Sequence, residues 1–306
     1  MSPPLTSRFS NVDHLQAAMR RIWDVEITQS EAGPLDMTLR SRQIADCQVV
    51  GSSTNRALVC SGMRSEAQWT LTPITPDCAG GRFRGQTLAA GDLLLLDPGG
   101  EVFQQLNAGH CQSAISLPVA LARRIIQAEY QCEPDRLLNH WSRQTDPRIS
   151  ARLARLLWQL LSDETTRPVV ASVDAAELAG HVIAMTQAGG APTPLRASLA
   201  HRRQIVARAE ALIRSRLHDA PSVTELCEAT HASRRLLFYA FHELLGRSPA
   251  MHAKVLRLHA ARRQILAGDA RPRIQQIAVD LGFVHTGQFA IDYYRLFGER
   301  PSQTAG

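Results

Sequence analysis

The sequence contains no run of eighteen or more apolar residues, so it predicts no membrane-spanning helix. Its first residues, Met1-Ser-Pro-Pro-Leu-Thr-Ser-Arg8, lack the charged-then-apolar order of a secretory signal. These two absences predict a soluble, cytoplasmic protein. A length of 306 residues is sufficient for two domains, each with its own core.

Cysteine is sparse and scattered. The six cysteines include no Cys-x-x-Cys pair and no histidine partners at the spacing of metal ligands. This pattern predicts reduced, partly buried thiols, and a redox or alkyl-transfer switch at one of them is the alternative. The cysteines are Cys47, Cys60, Cys78, Cys111, Cys132 and Cys227.

Lysine occurs once, at Lys254, and arginine carries the rest of the basic charge. After residue 200 there are sixteen basic against nine acidic residues, whereas the first two hundred residues hold eighteen against nineteen. The base composition of the source genome would explain the arginine total but not this asymmetry. The surplus therefore indicates a C-terminal region that binds phosphates.

One pattern occurs twice near the C-terminus, in 233–249 and again in 285–301. A short apolar segment precedes each copy, and together they predict two helix-turn-helix units. The Pro249–Leu266 stretch between them predicts a connecting helix about 25 Å long. The matching landmarks, all 52 residues apart, are Leu237 with Phe289, Phe241 with Tyr293, Gly246 with Gly298, and Pro249 with Pro301.

The second helix of each unit has an outward face that could reach base edges. In the first copy Ser233 is the predicted N-cap, and Leu237, Phe241 and Leu244 form the inward stripe. In the second copy the outward set has fewer hydrogen-bonding groups. The candidate DNA contacts are Ser233, Arg234, Arg235, Phe238, Tyr239, Thr286 and Gln288, and Gly287, Ala290 and Ile291 complete the second outward face.

The run of motifs over about the last hundred residues resembles the DNA-binding domain of AraC/XylS-type transcription regulators. The first unit ends in Phe-x-x-x-Leu-Gly-x-Ser-Pro249, the linker helix contains Arg257-Leu-x-x-Ala-Arg262, and the second unit contains Ile277-Ala-x-x-Leu-Gly-Phe283 and closes with Phe297-Gly-x-x-Pro301. The sequence departs from the family at His285 and Ile291. The resemblance implies double-stranded DNA as a partner, RNA polymerase if the protein is an activator, an unknown small-molecule effector, and a homodimer.

The segment from Trp23 to about Ser116 predicts short strands bounded by turn residues. The Gly85–Asp92 turn and the Asp97-Pro-Gly-Gly100 turn flank the Leu93–Leu96 strand and resemble the hairpins of cupin-like barrels. The expected fold class is therefore α+β: a cupin-like β-barrel with helices, a linker and an all-α domain with two helix-turn-helix units. The predicted domains are 1–188 for sensing and dimerisation, 189–200 as the linker and 201–306 for DNA binding.

No histidine lies between His14 and His110, which argues against the metal site of a cupin enzyme. We therefore predict no metal, no cofactor and no catalytic residue. For each ligand-pocket candidate, core or surface packing is the alternative. Arg82 and Arg84 would share one strand face and bind a carboxylate effector. The candidates are Trp69, Arg82, Arg84, Phe103 and His110.

After Pro118 the apolar spacing predicts helices over Val119–Ala128, Pro147–Leu161 and Ala175–Met185. These helices could form a dimer seam, for which Trp158 and Leu161 are the candidates, or could pack against the barrel. The leading hypothesis is a sequence-specific DNA-binding regulator, an activator that responds to a small molecule. The alternatives are a cupin-type metal enzyme with a basic C-terminal domain and a thiol-based sensor, and the thiol-based sensor would need clustered cysteines.

Overall fold

The computed structural model describes residues 3–20, 23–78, 80–130, 133–138, 142–162, 175–187, 197–267 and 274–304. The chain divides into two compact units. None of the helices in these ranges has the length and apolar content that a membrane span requires. The first unit holds Met1–Ile27, Asp36–Phe83 and Thr87–Leu195, and the second holds Thr28–Leu35, Arg84–Gln86 and Arg196–Gly306.

The first unit is built on two sheets. One has the strand order β1-β3-β4-β11-β6-β9-β12, and the other β2-β5-β10-β7-β8. The strands are β1 Leu5–Phe9, β2 Asp24–Gln29, β3 Met37–Ile44, β4 Cys47–Thr54, β5 Leu58–Met63, β6 Gln68–Pro73, β7 Arg82–Phe83, β8 Gln86–Thr87, β9 Asp92–Leu96, β10 Glu101–Leu106, β11 Cys111–Pro118 and β12 Ser142–Thr145.

Strand register follows the period-two burial of apolar side chains. In β4, Cys47 and Val49 are fully buried and alternate with half-buried neighbours, which places one face of the strand in the core. β3 and β4 pair antiparallel from Met37 opposite Thr54 to Ile44 opposite Cys47. All five residues of β9 are buried, as its continuous leucine run predicts.

The helices of the first unit are α1 Val12–Met19, α2 Val119–Tyr130, α3 Asp135–Leu138, α4 Pro147–Leu160 and α5 Ala175–Gln187. Asp146 caps α4 by accepting hydrogen bonds from the amides of Arg148 and Ile149. Leucines and isoleucines of α2, α4 and α5 share one core with β4, β6, β9 and β11.

Of the two alternatives for Trp158 and Leu161, the structure favours packing within the first unit over an exposed seam. Leu161 is only 1% exposed, and both side chains pack over Gly51 of β4. A Cβ at Gly51 would lie 2.7 Å from Leu161 Cδ1 and 2.9 Å from the Trp158 ring. The glycine therefore makes room for these two side chains inside the first unit.

The coarse fold class is confirmed, because antiparallel sheets occupy the N-terminal part and helices the C-terminal part. The predicted strands and the three helices after Pro118 are present. The first predicted strand begins at Trp23, and β1 and α1, which precede it, were not predicted. Residues 189–196 of the predicted linker lie outside the described residues, and 197–200 form the first turn of the helix Ala197–Ser215. The domain boundaries stay a prediction.

The second unit is mainly helical. Its helices are α6 Ala197–Ser215, α7 Val223–Thr230, α8 Arg234–Leu245, α9 Pro249–Ala267, α10 Ile274–Asp280, α11 Thr286–Phe297 and α12 Pro301–Thr304. α7 with α8 and α10 with α11 are the two helix-turn-helix units, and α9 is the helix between them. Aromatic and aliphatic side chains of α9, α10 and α11 form a common core.

A segment from the N-terminal part, Thr28–Leu35, also belongs to the second unit. The buried Gln29 amide donates to Leu296 O at 2.8 Å, and the amide of Gly33 donates to Arg295 O at 3.0 Å. These carbonyls lie in the last turn of α11, where the helix leaves its own acceptors unpaired. Thr28–Leu35 therefore caps the C-terminus of α11.

Candidate nucleic-acid interface

The first helix-turn-helix unit is fixed by caps on both of its helices. Ser222 and Glu225 form a reciprocal capping box at α7, in which Ser222 Oγ accepts from the amide of Glu225 and Glu225 Oε2 accepts from the amide of Ser222. α7 ends at His231, whose φ of 52° is left-handed. Ser233 Oγ then accepts from the amide of Leu236 at 3.3 Å, which confirms its N-cap geometry.

A half-buried arginine, Arg216, forms ion pairs across the turn before α7. Arg216 Nη1 lies 2.6 Å from Glu225 Oε1, and Arg216 Nη2 lies 3.0 Å from Asp219 Oδ2. The hydrogen bond from Arg216, with the bond from the Ser222 amide, lowers the pKa of Glu225 to about 2. Glu225 therefore remains a carboxylate, and the capping box keeps its charged acceptor, across the physiological pH range.

α8 buries one face and exposes the other, as its sequence predicts. Leu237, Ala240, Phe241 and Leu244 are fully buried. Arg234 and Arg235 are exposed, Tyr239 is 56% exposed, and Phe238 is half-buried with the Arg234 guanidinium 5.7 Å from its ring centroid. The N-terminal turns of α8 thus present two cations and a phenol on one surface.

Sequence reasoning missed one basic residue on this surface. The guanidinium of Arg202, on α6, lies 5.5 Å from the ring centroid of Tyr239, and Arg202 Nη2 donates to Glu243 Oε1 at 3.2 Å. Arg202 therefore holds the Tyr239 ring beside α8 by a cation–π contact. Arg202 lies outside the repeated pattern, so no local signal could have found it.

The second helix-turn-helix unit, α10 with α11, repeats this geometry with a different surface. Phe289, Tyr293 and Phe297 form a buried aromatic row, with centroids 5.7 Å apart for the first pair and 4.7 Å for the second. Gly282 ends the turn after α10 with φ of 75°, and Arg257 Nη1 donates to its carbonyl. His285 occupies the N-cap of α11 without a side-chain cap hydrogen bond.

The outward face of α11 has little free polar chemistry. Thr286 is half-buried and Gln288 is exposed. Gln288 Nε2 donates to Asp292 Oδ1 at 3.1 Å, and Asp292 also forms an ion pair with Lys254 of α9. The structure therefore places both predicted contact residues on the outward face but ties the amide of Gln288 to its own helix.

Residues 226–306 match the family model described as "Helix-turn-helix domain". The chain is 33% identical over 93 residues to "XylDLEGF operon transcriptional activator 3" of Pseudomonas putida, covering 30% of this chain and 28% of that protein. It is 34% identical over 83 residues to "Probable thc operon regulatory protein" of Rhodococcus erythropolis, covering 27% of this chain and 25% of that protein. The C-terminal domain is an AraC/XylS-type DNA-binding domain.

Both curated relatives are transcription regulators by name, and the chain spans about a quarter of their length. A solved structure of "a probable AraC family transcriptional regulator" from Rhodopseudomonas palustris CGA009 is 33% identical, over 33% of this chain and 94% of that chain, with a TM-score of 0.32.

The AraC/XylS-type domain joins α6 to α9 through a buried ionic cluster. Glu210 Oε1 lies 2.7 Å from Arg214 Nη2 and 3.4 Å from His252 Nε2. Burial alone would raise the pKa of Glu210, but the bonds and charges of His252 and Arg214 lower that pKa to about 2. The cluster therefore fixes α9 against the helix that precedes the first unit.

A second buried contact joins α9 to the end of the second unit. Arg262 Nη2 lies 2.8 Å from Glu299 Oε1, and its guanidinium stacks 4.6 Å from the centroid of the Phe297 ring. His259, one turn earlier, packs edge-on against the same ring at 5.1 Å. These contacts fix α9 against the C-terminal end of α11.

The predicted ligand residues differ in burial and in the elements that carry them. Trp69 is fully buried in the first unit's core, and Phe103 is 6% exposed. Arg82 lies in β7, which ends at Phe83, and Arg84 follows in the left-handed region with φ of 48°. The expectation that Arg82 and Arg84 share one strand face is therefore wrong, because the backbone turns between them.

A cavity of about 50 Å³ lies in the first unit, and none of the five predicted ligand residues lines it. His110 contacts a residue of the cavity wall, since its Nε2 lies 2.9 Å from Oε1 of the lining residue Gln112. Burial lowers the pKa of His110, so the imidazole is neutral. The lining residues are Leu15, Met19, Trp23, Val25, Ile27, Met37, Leu39, Val50, Ser52, Leu58, Cys60, Gln104, Leu106, Gln112 and Ala114.

Three thiols of the first unit have the wrong electrostatics for a reactive sensor. Burial raises the pKa of Cys60 to about 12, and burial also raises the pKa of Cys78 and Cys111. A reactive cysteine needs the opposite shift, because the thiolate is the nucleophile. Within the described ranges, no three histidine, cysteine or acidic residues cluster as a metal site would require.

Proposed function

We propose that this protein is a sequence-specific DNA-binding transcription regulator, an activator that responds to a small-molecule effector, and not an enzyme. The observation that carries the proposal is the pair of capped helix-turn-helix units, the first of which exposes Arg234, Arg235 and Tyr239 on the N-terminal turns of α8. Those turns reach base edges when such a helix enters a major groove.

Each candidate contact of the first helix-turn-helix unit has a role that follows from its chemistry. Arg235 and Tyr239 contact base edges, because an exposed guanidinium can donate two bonds to guanine and a phenol can donate or accept one. Phe238 contacts a thymine methyl or a sugar, and Arg234 a phosphate or a base. In the second unit, Thr286 and Gln288 are the polar contacts.

Alanine substitution tests the DNA contacts of the first helix-turn-helix unit. Arg235→Ala and Tyr239→Ala should each lower affinity for the specific site by about 1–3 kcal/mol and change binding to random DNA little. Arg208→Ala removes the same charge from an exposed position on α6 and serves as the matched control. If Arg235→Ala weakens specific and random DNA equally, Arg235 contacts phosphate and does not read bases.

We propose an uncharged, largely apolar effector for the cavity of the first unit. None of the described residues that line the cavity is charged, and an unpaired charge is costly to bury. Its polar wall consists of neutral groups, in which Gln104 Nε2 donates to Gln112 Oε1 at 2.8 Å. The cavity holds only a few water molecules, so a larger effector requires the lining side chains to move.

A matched pair of ligands tests this effector class. 1-Hexanol should raise the Tm of the first unit, whereas hexanoate, of the same length but charged, should not. Ala114→Phe fills the cavity from β11 and should remove the response to hexanol. Stabilisation by hexanoate alone would contradict the proposal.

The finer parts of the architecture and cell biology are also proposals. The two antiparallel sheets support a cupin-like N-terminal domain over 1–188, with 189–200 as the linker and 201–306 as the DNA-binding domain. As an activator the protein would contact RNA polymerase, act as a homodimer and work in the cytoplasm, where bacterial chromosomes lie.

A further inference from the structure

The two helix-turn-helix units have the same backbone plan but opposite surface chemistry. Positions 52 residues apart have matching exposure: Tyr239 is 56% exposed and Ile291 is 49% exposed, and both Arg235 and Gly287 are exposed. The second helix-turn-helix unit thus places an aliphatic side chain and a bare backbone where the first helix-turn-helix unit places a phenol and a guanidinium. If both units face DNA, they cannot read it by the same chemistry.

The second helix-turn-helix unit has few side chains that could read base edges through hydrogen bonds. The Gln288 amide donates to Asp292, and Lys254 neutralises Asp292 by an ion pair. Thr286 is half-buried, so its hydroxyl and methyl share a small exposed surface. This leaves Gly287, Ala290 and Ile291 as the chemistry of the first turns of the outward face, and the exposed phenol of Tyr294 follows one turn further along.

Two aliphatic side chains, one just before α11 and one on it, are exposed among the described residues. Val284, in the turn before α11, is 87% exposed, and Ile291 follows on α11 itself. Next to Ile291, a concave surface includes Ala290, Arg295 and Arg300, and both arginines are exposed. An apolar centre with a basic rim matches a major groove, where an apolar group lies between two phosphate backbones.

Gly287 supports a close approach of this helix to its partner. A Cβ at Gly287 would meet nothing within 4 Å, and its backbone is not left-handed. Glycine weakens a helix relative to alanine, and no contact within the described protein requires it here. A glycine in the first turn lets the backbone come nearer to base edges than any other residue would.

We propose that the second helix-turn-helix unit selects its half-site through thymine methyl groups, which Val284 and Ile291 contact while Arg295 and Arg300 bind the adjacent phosphates. The thymine methyl is the one apolar group that a base pair presents in the major groove. This inference rests on the proposed function, because it names the feature of DNA that the second unit reads.

The test replaces thymine by uracil, which removes only the methyl group. The probe is a duplex that this protein enriches from random-sequence DNA, and Arg235→Ala identifies the half-site of the first unit by relaxing selection there. Uracil in the other half-site should weaken binding about fourfold for each contacted methyl. Ile291→Ala should weaken binding to the thymine duplex and remove most of the difference between thymine and uracil.

Matched variants separate contact from stability. Val279→Ala removes an aliphatic side chain that is 56% exposed on α10 of the same unit, and it should leave the thymine preference unchanged, unlike Val284→Ala. Gly287→Ala should raise the Tm by about 4 °C through helix propensity and yet weaken specific binding about tenfold. A misfolded variant would lose both thermal stability and DNA affinity, so a higher Tm together with weaker binding identifies a steric effect at the DNA.

The outcomes distinguish the two proposals. If no duplex is enriched, the proposed function fails. If a duplex is enriched but uracil substitution and Ile291→Ala both leave its affinity unchanged, the function stands and the methyl readout is refuted.

Discussion

His259 offers a direct test of how the DNA-binding unit is held together. The ring of His259 is 2% exposed and packs against Phe297, and its Nε2 lies 3.3 Å from Gln29 O. Burial lowers the pKa of His259 to about 3, against the opposing effect of the hydrogen bond to Gln29 O. The folded unit therefore keeps this imidazole neutral.

The sign of the pH effect follows from proton binding. Below about pH 6.5 the unfolded chain binds a proton at His259 and the folded chain does not, so protonation favours unfolding. The stability contributed by the neutral ring is present above pH 6.5 and falls as the pH drops towards 3. At pH 5 the loss is about 2 kcal/mol relative to pH 7.5.

The assay must report on the second unit alone. All four tryptophans precede residue 160, so their fluorescence follows the first unit. Hydrogen exchange of the amides in α9 instead gives the free energy of unfolding of the second unit. His259→Gln keeps a donor for Gln29 O but cannot take up a proton at pH 5.

The expected result is a difference between two slopes. Wild-type protein should lose about 2 kcal/mol more than His259→Gln between pH 7.5 and pH 5, because only the wild type has the titrating group at this position. Other buried titrating groups, such as Glu210, are present in both proteins and cancel in the comparison. Equal losses in the two proteins would refute the claim that His259 is buried and neutral.

Three further substitutions test contacts of the second unit and the first-unit core. Gln29→Leu should lower the unfolding free energy of the second unit by about 1–3 kcal/mol in the same exchange assay, because the Leu296 carbonyl loses its buried donor. Arg262→Met should lower it by roughly 2 kcal/mol, since the ring of Phe297 and Glu299 lose the cation, and high salt should not mimic the loss. Gly51→Val should lower the Tm in tryptophan fluorescence, because its side chain would collide with Trp158.

The sequence predicted the two helix-turn-helix units well because the signals for them are local. Ser233 precedes an apolar stripe, and glycine and proline follow it at the same offsets in both copies, so the pattern determines caps, inward faces and outward faces together. The structure has Ser233 at the N-cap and Gly246 in the left-handed region at the C-cap of α8. Periodicity over a dozen residues was sufficient for these assignments.

The cavity of the first compact unit was not predicted, because its walls come from strands that are distant in sequence. Period-two alternation tells which residues share a strand face, but not which face encloses a cavity. Trp69 and Leu39 both point into the interior of the first unit, yet only Leu39 lines the cavity. A backbone turn at Arg84 also separated two arginines that the sequence placed on one face.

The hardest feature to predict was the part that Gln29 plays in the DNA-binding unit. Its amide reaches Leu296 O across 267 residues of sequence, and the two N–H groups of Nε2 lie within hydrogen-bond distance of three carbonyls, those of Glu31, Gly33 and Leu296. In the sequence Gln29 is an ordinary polar residue at the end of a strand. A buried carbonyl at a helix end must find a donor, but no rule of spacing says where in the chain that donor lies. Gly298 caps α11 locally by donating to Tyr294 O, yet the next carbonyls, including Leu296 O, still need donors. Helix-end carbonyls that a local cap leaves unpaired are therefore where a distant segment is to be looked for.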